Sequence, residues 1–172
     1  MATPNWVLTI VYWLHMLATV IWIGSLAILS LLVLPAASQA LDGDRYAALL
    51  GRIQKRLDPL AWFCLILLLT TGMVQLGASP NYRGFLSIED RWATAILIKH
   101  ILFLVLILVS AYMTWILLPS LRRLALRKAH QPGDAKTEAG ADALKKRETI
   151  ILRFNLILGV IILALTAVAR TS

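Results

Sequence analysis

Two stretches place side chains capable of metal chemistry inside otherwise apolar sequence. Residues 14–24, LHMLATVIWIG, carry His15 and Met16, followed by Trp22 and Gly24. Residues 96–103, ILIKHILF, carry Lys99 and His100 side by side. A neutral imidazole presents a nitrogen lone pair to iron or copper, and a thioether presents a softer sulfur. A lysine presents a charge to an anionic group. Ionisable side chains are costly at membrane depth, so each of these residues is a candidate site by default. Trp22 follows His15 by seven residues and therefore lies on nearly the same helical face.

The rest of the chain must hold these residues in place, and its composition says how. Of 172 residues, 59% are hydrophobic and 15% charged, and the mean hydropathy is +0.77. A soluble domain of this size is about half apolar and a quarter charged. The sequence therefore reads as an all-α integral membrane four-helix bundle, one domain over residues 1–172. A bilayer core of ~30 Å needs roughly 20 helical residues to cross it. Four segments qualify, at about 6–34, 59–76, 92–118 and 149–168. Pro35 and Pro119 are expected to stop the first and third. Asp58 and Pro59 are expected to start the second. The single cysteine, Cys64, lies in an apolar span and is expected only to pack.

The net charge of +8 belongs mostly to the connections. Residues 36–57 read as an amphipathic helix leading into the second span. Residues about 120–148 read as a polar cytoplasmic loop with a flexible middle, HQPGDAKTEAGAD. Lysine and arginine in these two connections place them inside and both termini outside, in a multi-pass protein of a bacterial-type inner membrane. Trp6, Tyr12, Trp13, Tyr82 and Trp92 would then form an outer aromatic belt. The N-terminal MATPN has no basic run, so no cleavable signal peptide is expected. The basic clusters adjoin apolar spans, which argues for a lipid bilayer as partner and against nucleic acid.

Depth then groups the candidates. His15 is nine residues into its helix, ~13 Å, and Lys99 and His100 are seven and eight residues into theirs, ~11–12 Å. Both helices run the same way, so the three share a layer. On the fourth helix that layer falls near residues 159–162, where Gly159 would let a flat ligand approach the backbone. On the second it falls near residues 68–71. Two histidines on separate helices of a bundle suit the axial positions of a haem b, with Lys99 or Arg91 facing its propionates. His15, Met16, Met73 and His100 equally suit copper. A histidine that only bonds a neighbouring helix, with Trp22 and Gly24 as packing residues, is the third reading. It makes the chain an accessory subunit of a larger membrane complex. Arg56 lies at the basic foot of the second helix, far from this layer.

The order of these motifs resembles two related groups of membrane proteins. The first helix, WLHMLATVIWIGSLAILSLLVLP, is similar to the opening of the CopD family and of the HemJ-type protoporphyrinogen oxidases. Both begin with a His, then Trp-x-Gly or Trp-x-x-Gly. The lead-in RIQKRLDP resembles the Lys-Arg-Leu of the HemJ group, and TTG resembles the Thr-Gly of CopD proteins. WATAILIKHILFLVLILVSAYMTWILLPSLRRL carries a lysine where both groups carry one. ETIILRFNLILGVIILALTAVAR resembles the closing CopD helix. The HemJ resemblance implies functional roles for His15, Arg56 and Lys99, a haem b, and a membrane oxidoreductase acting on a porphyrin and passing electrons to quinone. The CopD resemblance implies copper movement across the inner membrane beside a copper-binding partner. His100 comes from the residues alone and is carried over from neither group.

Overall fold

The structure is a computed structural model that describes residues 4–80, 84, 91–130 and 135–171. Among them every regular element is helical. Helix α1 is Asn5–Ala27, α2 Leu34–Ala40, α3 Gly43–Gly77, α4 Arg91–Tyr112, α5 Leu118–His130 and α6 Ala135–Thr171. A wide helical turn, Ile28–Val33, fuses α1 to α2, and another, Met113–Leu117, fuses α4 to α5. Four rods result, Asn5–Ala40, Arg45–Gly77, Arg91–Leu124 and Thr137–Thr171, each long and apolar enough to cross a membrane. The shortest has 33 residues. At 1.5 Å per residue that is ~50 Å, so each rod outruns a ~30 Å hydrocarbon layer.

The prolines correct the expected boundaries. Neither Pro35 nor Pro119 stops its helix. In both rods the residue just before the proline donates its N–H five residues back, Leu34 to the Leu29 carbonyl and Leu118 to the Met113 carbonyl. The widened turn takes up the register change imposed by a residue without an N–H. Likewise Pro59 lies inside α3, which begins at Gly43 rather than at Asp58. The amphipathic stretch and the second span are one helix.

The polar connection at 120–148 is also largely helical, since α5 and α6 cover all of it except residues 131–134, which lie outside the described residues. Its composition looks flexible, yet Ala, Leu, Lys, Arg and Glu dominate it, and these are good helix formers. Packing of α5 on α6 supplies the rest. Of the aromatic belt, Tyr82 falls outside the described residues, while Trp6 and Trp13 are exposed.

Helices α1 and α3 pack as one pair, α4 and α6 as another, and α1 touches α6 to join them. Two clusters fill the interior. Ala18, Trp22, Cys64, Leu65, Leu106 and Leu158 form one; Leu29, Leu34, Tyr46, Leu50, Met113, Leu117 and Leu152 form the other, nearer the basic connections. Large apolar side chains such as Val20, Leu32, Phe63 and Trp115 are exposed on the outside, as a lipid solvent permits.

Buried polar groups concentrate at the basic end. Glu148 is 0% exposed, and its Oε1 accepts from Gln54 Nε2 at 2.6 Å across the α6–α3 contact. Asn155 donates to Ser110 Oγ at 3.0 Å, tying α6 to α4. A buried polar group left without a partner costs about 1–3 kcal/mol, more when charged. Replacing Gln54→Leu strands Glu148, and thermal unfolding in detergent is expected to show a loss of at least about 1–3 kcal/mol. Glu148→Gln keeps an amide oxygen facing Gln54 and is expected to lose less in the same assay.

Candidate functional site

In the half of the bundle remote from the basic connections, α1, α3, α4 and α6 enclose a cavity of about 690 Å³. Most of its walls are apolar. Its chemistry comes from His15 and Met16 on α1, Gln75 on α3, Lys99 and His100 on α4, and Arg170 on α6. Trp22 and Gly159 line it as well. Residues from separate stretches of sequence thus meet at one space. Met73, on α3, does not join them, since it is not part of the lining. Arg56 is exposed on the basic half of α3, and Arg91 is exposed at the start of α4; neither lines the cavity.

Each histidine is oriented by a hydrogen bond at Nδ1. The Thr71 hydroxyl has one proton, which it donates to the Leu67 carbonyl one turn back. Its oxygen can then only accept, so His15 Nδ1–H donates to it at 2.7 Å. His100 Nδ1 lies 2.7 Å from the Ile96 carbonyl, which is also purely an acceptor. In its neutral form each ring is therefore held as the Nδ1–H tautomer, with the lone pair on Nε2. Metal-binding histidines are commonly fixed in this way, with the second nitrogen donating to a carbonyl or hydroxyl nearby.

Gly159 has a different task from the one its sequence position proposes. A β-carbon there would sit 3.1 Å from Cζ3 of Trp22 and 3.5 Å from Ile23. The indole of Trp22, only 5% exposed, occupies the space that a flat ligand was expected to use. Trp22 and Gly159 thus form a ring-on-backbone contact joining α1 to α6, and the cavity lies beside it. Gly72 is looser, with a β-carbon meeting His15 Cε1 at an ordinary 3.6 Å.

The cavity is electrically positive. Lys99 and Arg170 both line it, and the Arg170 guanidinium lies 5.1 Å from the Tyr12 ring centroid. No Asp or Glu is among its described lining residues. Nor does any group of three or more His, Cys, Asp or Glu among the described residues have the placement of a metal cluster. A metal held here would rely on the two imidazoles and a thioether such as Met16, a soft set suited to Cu(I) rather than to a hard cation.

Thr71, Gln75 and Arg170 are the residues that sequence reasoning missed. Thr71 sits in the layer assigned to the second helix, but as a common back-bonding threonine it carries no signal of its own. Arg170 was placed beyond the fourth span, whereas α6 continues through Thr171 and folds its guanidinium over Tyr12.

Among known families, the model for Copper resistance protein D (CopD) matches residues 51–169. The match takes in most of α3 and nearly all of α4 to α6, with Thr71, Lys99, His100 and Gly159; His15, Met16 and Trp22 precede it. It supports the CopD half of the resemblance and adds nothing to the HemJ half. No curated protein and no solved structure matches the chain. Gly159→Ala is expected to overpack the Trp22 contact and cost about 1–3 kcal/mol, read as a lowered unfolding midpoint in detergent.

Proposed function

The chain belongs to the CopD family, and on that premise we propose that it handles copper as cargo, receiving Cu(I) between His15 and His100. One observation carries this reading. Both imidazoles line one cavity, and each has its Nδ1 within hydrogen-bond distance of an oxygen, which supports Nε2 as the nitrogen offered to copper. Met16 lines the same cavity and is the third soft donor. With the lysine- and arginine-rich connections placed inside, the cavity belongs to the outer half of the inner membrane, on the side from which a periplasmic partner would deliver copper.

A haem b between the same two histidines is the second reading. The volume of the cavity and the pair Lys99 and Arg170, which would face propionates, favour it. On this reading the protein serves membrane electron transfer, with quinone or a porphyrin as its partner. Helix dimensions alone accommodate a third role, as an accessory subunit of a larger complex.

Cu(I) titration of the purified full-length protein against a competing chelator tests the first reading. Stoichiometric retention is expected. His15→Ala and His100→Ala should each abolish it, and Thr71→Val should weaken it by about 10–100-fold, the usual effect of removing an orienting partner. Met73→Leu should leave it unchanged. Full retention in both histidine variants would sink the proposal. A dithionite-reduced α-band of b-type haem, lost in the same variants, would decide for the second reading.

A further inference from the structure

A second cavity, about 460 Å³, lies at the opposite end of the bundle and takes no part in the site above. Its walls are α2, the start of α3 and one face of α6. Along α6 that face presents Lys145, Lys146, Thr149 and Arg153, residues at helical spacing. Facing them are Ser38 and Gln39 of α2, and its floor is apolar, with Leu34, Pro35 and Leu41. The wide turn before Pro35 carries the chain past the proline, so that α2 remains helical and forms this wall.

Among the described residues no carboxylate lines this cavity. Glu148, the nearest acid along α6, is fully buried and faces Gln54 instead. Lys145 lies over the Tyr46 ring, 5.2 Å from its centroid, and pairs with the exposed Asp142 at 3.8 Å. Three cations and the Gln39 amide around one space form a phosphate-binding set. Its level identifies the source of the phosphate. Leu34 ends the apolar run of the first rod, and Thr149 begins that of the fourth. The cavity therefore lies where hydrocarbon gives way to headgroups. Basic pockets between helices at this level bind anionic lipid headgroups.

We propose that this cavity binds the phosphate headgroup of an anionic phospholipid. The phosphate sits among Lys145, Lys146 and Arg153, the Gln39 amide can donate to its oxygens, and the first methylenes of the lipid rest on Leu34, Pro35 and Leu41.

Native mass spectrometry of the full chain in detergent tests this, with phosphatidylglycerol and phosphatidylcholine of matched acyl chains as probes. Phosphatidylglycerol should be retained at least about tenfold better, and each of Lys145→Gln, Lys146→Gln and Arg153→Gln should cost about fivefold of that preference. The triple variant Arg122→Gln, Arg123→Gln, Arg127→Gln removes three charges from α5, more than any single cavity variant, and should leave the preference intact. Lys146 and Arg153 are exposed, so their variants serve if Lys145→Gln impairs folding. Equal retention of the two lipids, or equal losses in the α5 variant, overturns the proposal. Displacement of the lipid by millimolar inorganic phosphate assigns the cavity to free phosphate and overturns the lipid as its source.

Discussion

Hydrocarbon offers no hydrogen bonds, so every polar group in the membrane-spanning part must find its partner within the protein. That constraint decides more of this structure than any single contact. It keeps the backbone helical through Pro35, Pro59 and Pro119, with a wide turn before two of them. It sends the hydroxyls of Thr19, Ser25, Ser30 and Thr166 back to carbonyls one turn earlier. It pairs Gln54 with Glu148 and Asn155 with Ser110. It also fixes the candidate site, because the Thr71 proton committed to Leu67 obliges the hydroxyl to receive His15 Nδ1–H.

The same constraint divides the molecule into two chemically distinct ends. Near the basic connections, Gln54 pairs with Glu148 and Asn155 with Ser110, which ties the helices together. The remote half keeps a cavity where histidines, a lysine, an arginine and a glutamine face an apolar space. Trp22 packed on Gly159 stiffens the wall beside it. Polar side chains are thus used as struts at one end and as ligands at the other, and this asymmetry underlies the proposed function.

The four spans were legible because long apolar runs admit only one structure in a bilayer. Helix ends were less so. Proline reads as a stop, and only a tertiary setting that supports a widened turn shows otherwise. Residues 120–148 looked flexible because their polarity outweighed their helix propensity. For the site, helical rise alone brought His15, Lys99 and His100 to one level, yet rise says nothing of rotation. That is why Met73, near that level, faces away while Met16 lines the cavity. Gly159 was recognised as special, but its neighbour Trp22, 137 residues earlier in sequence, could not be seen to claim its space.

The most direct measurement is X-ray absorption at the copper edge of the Cu(I)-loaded protein. The account predicts a first shell with two imidazole nitrogens, and no such shell in either His15→Ala or His100→Ala. A shell of sulfur alone, or one unchanged in both variants, would contradict it.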